Sequence, residues 1–263
     1  MNIIVCLKQG PGTTEVKIDP ETNSLIRQGI ENIINPFDTY AIEEGVRLKE
    51  QHGGKVTVIS MGPPQAEAAL REAISLGADG AVLLSDAAFA VADTWATAYT
   101  LSQAMAKLGE YDLIICGRQT IDGDTGQVGP EMAEMLDLPF IAYVSLVEEI
   151  DDNKIRVRRM VEEGHEIIES TLPAIITVTK EINVPRLPSL RGIAKSKSVE
   201  ITTWGLQELG VDKGMVGLAG SSTQVIKIFF PQRICEAEML EGDMETQVTN
   251  LIDRLKNASL LLG

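Results

Sequence analysis

Few side chains in this sequence could do chemistry unaided. Only two histidines are present, His52 and His165, too few for a His-rich metal centre. Cys6, Cys116 and Cys235 are odd in number and far apart. That pattern suits neither a disulfide framework nor a zinc site, and fits a reducing compartment. The signatures G-x-S-x-G, H-E-x-x-H and C-x-x-C are all missing. Cys116 lies inside an apolar run and reads as a small buried residue rather than a nucleophile. Glu162-Glu163 falls in a turn, where solvated carboxylates are the ordinary outcome, and Trp95 and Tyr99 could serve the core alone. The reading is no metal and no catalytic side chain. If chemistry occurs here, a cofactor must carry it.

A place to hold one lies between Tyr111 and Leu136. The apolar run Leu113-Ile114-Ile115-Cys116 is short enough for a buried strand. It opens into Gly117-Arg118-Gln119-Thr120-Ile121-Asp122-Gly123-Asp124-Thr125-Gly126-Gln127-Val128-Gly129, and Pro130 is suited to start a helix. Met132, Met135 and Leu136 then give that helix an apolar face. Strand, glycine-rich loop and helix together aim main-chain N–H groups and a positive helix end at an anion. Gly123, Gly126 and Gly129 allow a close backbone approach. Neither G-x-G-x-x-G nor a Lys-Ser/Thr pair follows, so this is not a common phosphate fingerprint. Asp122 and Asp124 would repel a bare triphosphate, which points to a nucleotide with a ribose to bond. An ordinary, well-capped βα loop is the competing reading.

The rest of the chain has to position that loop. At 263 residues and 44% hydrophobic composition it can build one large α/β domain or two modest ones. A net charge of −15 argues against nucleic acid or an anionic membrane as partner. No signal peptide or membrane-spanning run is evident, so a cytoplasmic protein without membrane insertion is expected. Strands are expected at Asn2–Lys8, Lys55–Met61, Ala81–Leu84 and Tyr111–Cys116. Helices are expected after Asn35-Pro36, after Gly62-Pro63-Pro64, and after a capping Asp93, the last with Trp95, Ala98, Tyr99, Ser102, Met105 and Ala106 inward. Val16–Ile18 and Leu25–Arg27 flank a plausible hairpin excursion. Alternating strands and helices imply a mostly parallel, doubly wound sheet with helices on both faces, whose strand ends form one ligand-binding rim.

From Phe140 three β-like runs follow without helices, at 141–147, 155–161 and 165–170, and a fourth spans Ala174–Thr179. They read as an antiparallel extension of the same sheet. Glu181 to Ser198 is basic for so acidic a chain and has no clear period, as expected of a functional loop or a solvated linker. Residues 211–231 look irregular. Val248, Leu251, Ile252 and Leu255 mark a terminal helix, giving a division into 1–230 and a C-terminal arm over 231–263.

Several motifs in order resemble one family, the beta subunits of electron-transfer flavoproteins. They are Asn35-Pro36-Phe37-Asp38, Met61-Gly62-Pro63-Pro64-Gln65 and Gly117-Arg118-Gln119-Thr120-Ile121-Asp122. The family signature runs from Val157-Arg158-Arg159 through Glu162-Glu163-Gly164 to Pro173-Ala174-Ile175-Ile176-Thr177. The resemblance covers most of the chain and weakens after about Lys227.

That resemblance implies a heterodimer with a larger, FAD-bearing alpha subunit. In ordinary members the beta subunit buries AMP; in electron-bifurcating members the same pocket holds a second FAD that meets NADH. Its wall corresponds here to Cys6, Leu7 and Lys8, to Asn35, Pro36, Phe37 and Asp38, and to Met61 and Gly62. It continues through Gln119, Asp122, Gly123, Asp124, Thr125, Gly126, Gln127, Val128, Gly129, Pro130 and Ala133. Asp93, Thr94 and Thr97, within Asp93-Thr94-Trp95-Ala96-Thr97, together with the Gly123–Pro130 loop, resemble the bifurcating group. Gly10 and Gly12 depart from the Val and Asp expected there, loosening a turn near the rim. The implied activity takes a hydride from NADH, then sends one electron to ferredoxin and the other, through the alpha-subunit FAD, to a flavoenzyme dehydrogenase. Residues 183–198 match the family's recognition loop, with Leu190 as apolar anchor and Arg191, Ile193 and Lys195 beside it. The alternatives are a conventional transfer subunit holding structural AMP, and a universal-stress-type nucleotide module. The latter would need neither the 183–198 loop nor the β extension.

Overall fold

The computed structural model describes residues 1–12, 17–18, 25–26, 32–151, 153–226, 239–258 and 260. In chain order, β1 (Asn2–Cys6) is followed by β2 (Gln9–Pro11), β3 (Lys17–Ile18), β4 (Leu25–Ile26) and β5 (Asn32–Ile34). Next come α1 (Pro36–His52), β6 (Lys55–Met61), α2 (Glu67–Leu76), β7 (Gly80–Leu84), α3 (Thr94–Leu108), β8 (Leu113–Gly117) and α4 (Val128–Leu136). The strands β9 (Phe140–Ile150), β10 (Lys154–Val161), β11 (Gly164–Thr171) and β12 (Ala174–Val178) run without an intervening helix. Helix α5 (Leu190–Ser198), β13 (Thr202–Trp204), α6 (Leu206–Leu209), α7 (Gly217–Gly220) and α8 (Met244–Asn257) complete the order.

Nine strands form one sheet in the order β11-β10-β9-β12-β8-β1-β6-β7-β13. From β9 to β13 neighbours are parallel, while β9, β10 and β11 pair antiparallel. The α/β class with an antiparallel extension is therefore what the chain adopts. Alternation along β1 explains the two layers, because successive side chains face opposite ways. Ile3, Val5 and Leu7 join Ile42, Val46, Leu70 and Ile74 on the side of α1 and α2. Ile4 joins Ile59, Leu84, Ile114, Met105 and Met132 on the side of α3 and α4. Both faces of the parallel strands are buried.

Local departures from expectation have identifiable causes. Helix α4 begins at Val128 rather than Pro130, which stands third in the helix, where an N–H has no intrahelical partner to lose. Three residues of 3-10 helix, Pro64–Ala66, precede α2. On α3, Trp95 is 41% exposed and Ala106 is also exposed; Leu101 and Ala104 take the inward positions. The 183–198 segment ends in a regular helix, α5, although only its Ser196 is buried. With no apolar face to bury, α5 leaves no hydrophobic period to read. It is started instead by Ser189, whose Oγ accepts from the Gly192 N–H at 2.9 Å. Strand β13, an edge strand on β7, was not anticipated. Within 211–226, short turns of helix occupy Lys213–Met215 and Gly217–Gly220; 227–231 lie outside the described residues. Strands β3 and β4 pair antiparallel, while Val16, Arg27 and residues 19–24 between them also lie outside.

The chain divides into two compact units, Met1–Ile226 and Lys227–Gly263. In the second, α8 is capped by Asp243, which accepts from the Thr246 N–H at 2.9 Å, and buries none of its residues.

Candidate nucleotide pocket

The strand order reverses at β1. The chain passes from β1 to β6 on one side and, later, places β8 on the other. In open α/β sheets the carboxyl ends of strands at such a reversal form a crevice where ligands bind. Here the crevice lies between Lys8, after β1, and the loop after β8. Lys8 Nζ meets Asp122 Oδ1 at 2.8 Å across it. Burial works to raise the Asp122 carboxyl, but the hydrogen bond and charge of Lys8, with the Thr120 hydroxyl, outweigh it and hold the group below its ordinary value.

The loop is built by its own side chains. Gln119 Nε2 donates to Asp124 Oδ2 at 2.8 Å, and Thr120 Oγ1 donates to the Gly123 carbonyl at 2.9 Å. Asn35 Nδ2 donates to the Gln119 carbonyl at 2.8 Å and ties the loop to the amino end of α1. Residues 121–127 are exposed. Among the described residues, no amide from Gly123 to Gly126 donates to another main-chain carbonyl. Those amides and the amino end of α4 are thus available to an anion. The three glycines differ in role. Gly126 has φ +63, a left-handed conformation that glycine adopts freely. A side chain on Gly123 would meet nothing within 4 Å, whereas one on Gly129 would press on Thr177 and Phe140. Gly129 therefore serves helix packing, and Gly123 borders open space.

Asp93 caps α3 by accepting from the Ala96 N–H at 3.0 Å, and its other oxygen accepts from the Thr223 N–H at 2.8 Å. Thr94 Oγ1 donates to Glu131 Oε1 at 3.0 Å, bringing the amino ends of α3 and α4 together. Burial raises the Glu131 carboxyl, and nearby Asp93 adds to this against the Thr94 bond. Of the other expected residues, Cys6 and Met61 are half-buried at strand ends, as is Gly62, whose N–H donates to the Leu84 carbonyl at 3.0 Å. Leu7 and Ala133 are core residues, 5% and 3% exposed.

Sequence reasoning missed two neighbours. The Arg118 guanidinium lies 5.1 Å from the Tyr143 ring centre and 6.0 Å from that of Phe37. A cation directly after a strand was the available signal for Arg118. Tyr143 gave none, because its placement follows from a register shift beside Ile176–Val178 and a positive φ of 59.

The 183–198 segment is fastened to the body by charges. Arg186 reaches Glu43 at 2.8 Å and Glu50 at 2.7 Å, and these carboxylates raise its guanidinium further above its ordinary value. Asn183 bonds the Tyr40 carbonyl and Glu44, and Lys195 bonds Asp79 and the Ala78 carbonyl. Val184, Leu187 and Leu190 stay 87–89% exposed on this fixed frame. Ile193 is 40% exposed and Arg191 is exposed as well.

A mostly parallel sheet whose strand order reverses at β1, with a glycine-bearing loop after β8, defines an open-sheet α/β protein. Residues 22–209 match the electron transfer flavoprotein domain, and the chain belongs to that family. It is 51% identical to the electron transfer flavoprotein subunit beta of Thermoanaerobacterium thermosaccharolyticum, over 99% of this chain and all of the relative. It is 43% identical to CarD, a subunit of the caffeyl-CoA reductase-Etf complex of Acetobacterium woodii, over 99% and 100% of the two chains. Protein FixA of Azotobacter vinelandii is 45% identical over 92% and 89%.

Proposed function

We propose that this chain is the beta subunit of a heterodimeric, electron-bifurcating electron-transfer flavoprotein in the cytoplasm, and that the crevice between β1 and β8 binds FAD. The observation that carries the reading is the open, exposed 121–127 loop facing Lys8 ahead of α4. A group with a pyrophosphate and hydroxyls fits this donor set, because main-chain amides and the start of α4 suit the phosphates while paired carboxylates suit hydroxyls. FAD held there would supply the redox chemistry that links NADH to ferredoxin and, with the alpha-subunit FAD, to an acyl-CoA or 2-hydroxyacid dehydrogenase. The protein's part is to bind and orient. Gly123–Gly126 and α4 are assigned to the pyrophosphate, and Asp93, Thr94 and Thr97 to the region that distinguishes FAD from AMP. Leu190, with Arg191, Ile193 and Lys195 beside it, is assigned to dehydrogenase docking, and α8 to the alpha subunit. The similarity to CarD and FixA supports the choice over a conventional AMP-holding subunit.

The test is the nucleotide content of the heterodimer co-purified with its alpha subunit. Heat release and chromatography should find two FAD and no AMP. One FAD and one AMP would remove bifurcation and leave the family intact.

A further inference from the structure

We propose that Asp38 is the positioning residue of this pocket: its carboxylate ties the ends of β1 and β8 together through main-chain amides, and its charge state sets how firmly the pocket holds a nucleotide. The inference rests on the nucleotide reading of the crevice. It assigns Asp38 a role behind the ligand rather than against it.

Asp38 is 5% exposed in the first turn of α1. Its Oδ2 accepts from the Lys8 N–H at 2.7 Å, and the nearby Gly117 N–H works to lower the carboxyl's pKa. Gly117 comes so close that any Cβ there would overlap Asp38 Oδ1. Asn35, 1% exposed, lies beside the same carboxylate, and its Oδ1 is a buried acceptor without a partner. Three loops thus meet on one side chain at the reversal point: Lys8 after β1, Gly117–Gln119 at the end of β8, and Asn35–Asp38 before and within α1. These loops carry Lys8, Gln119 and, through Lys8, Asp122.

An ionised carboxylate presents two strong, charge-assisted acceptors to these amides. A protonated one carries a donor on one oxygen and leaves an amide poorly paired. Burial pushes the Asp38 carboxyl from 3.8 to about 7, against the hydrogen bonds from Lys8, Asn35 and Gly117 and the charge of Lys8. Other ionisable groups face it from β1 and from the loop after β8. Cys6 on β1 is held protonated by its hydrogen bond to Cys116 on β8 and by burial. Lys8 is paired with Asp122, whose carboxyl is held low, and Arg118 packs on Phe37 and Tyr143. Burial thus brings the Asp38 carboxyl toward the neutral range.

If the ionised form is the one competent to bind, its population falls about tenfold between pH 8.5 and pH 6, and apparent affinity falls with it. The experiment measures equilibrium release of FAD, and separately of AMP, from the purified heterodimer across that range. The signal of the alpha-subunit flavin serves as internal reference. Wild type should bind about tenfold more weakly at pH 6. Asp38→Asn should be weak at pH 8.5 already and nearly flat. Equal pH slopes in the two proteins would overturn the positioning role while leaving the nucleotide reading in place. Failure of both nucleotides to bind at any pH would overturn both. Should Asp38→Asn not fold, NMR titration of the Asp38 carboxyl in wild type decides the matter. Its midpoint must coincide with that of nucleotide release, and a separation beyond about one pH unit sinks the proposal.

Discussion

At the residue scale, the loop glycines show how one residue type can carry separate duties. Gly126→Val would be strained whatever the ligand, because φ +63 is a conformation a β-branched residue adopts at a cost of about 1–3 kcal/mol. Its loss of nucleotide would not reveal whether the backbone approaches a phosphate. Gly123 separates the two effects. Its φ lies outside the left-handed region and a side chain there enters open space. Gly123→Val should therefore keep the urea midpoint of wild type, keep the alpha-subunit flavin and lose the nucleotide of this chain, whereas Gly126→Val should lower the midpoint as well. Unchanged nucleotide content in Gly123→Val would show that the loop has been given the wrong ligand.

At the element scale, the 183–198 segment is a rigid mount for an exposed leucine. Leu190 opens α5 and buries almost nothing, so truncating it removes little from the fold. In a partner's pocket it could contribute about 1.5–3 kcal/mol. Leu190→Ala should slow electron delivery to the partner dehydrogenase about tenfold at subsaturating partner, with flavin reduction by NADH unchanged. Parallel loss of both rates in rapid-mixing assays would make Leu190 structural. Arg186→Met tests the mount itself. It leaves Glu43, 7% exposed, without its guanidinium and should cost about 1–3 kcal/mol of stability. The sequence announced this segment through its composition and through its resemblance to a recognition loop. It could not announce α5, whose anchors are Ser75, Ala78 and Asp79, residues more than a hundred positions away. Legibility elsewhere followed the same line. Strands β1, β6, β7 and β8 were readable because burial on both faces writes a continuous apolar run. The Lys8–Asp122 bridge and the shared carboxylate of Asp38 were not, because long-range pairing leaves no local pattern. The motif match placed those residues in one pocket without saying which of them touch.

At the scale of the whole molecule, the two units face different requirements. The first buries two apolar layers, whereas α8 leaves Met244, Val248, Leu251 and Ile252 between 39% and 82% exposed. A helix with an uncovered apolar stripe needs another surface to be stable. A chain ending at Ile226 should therefore melt within a few degrees of the full chain and fail to co-purify with the alpha subunit. Retained co-purification would show that the arm is dispensable for assembly.

The order in which the sheet is assembled has a consequence for synthesis. Strand β12 is central, with all five residues buried between β8 and β9, yet it is the last strand before α5 to leave the ribosome. Until Val178 emerges, β8 presents an open, apolar edge, and the β9–β11 sheet has nothing to join it to the parallel half. Unpaired edges of this kind template association between chains. Nascent chains stalled before Ala174 are the vulnerable species, and the cell's window for chaperone capture closes when those five residues dock.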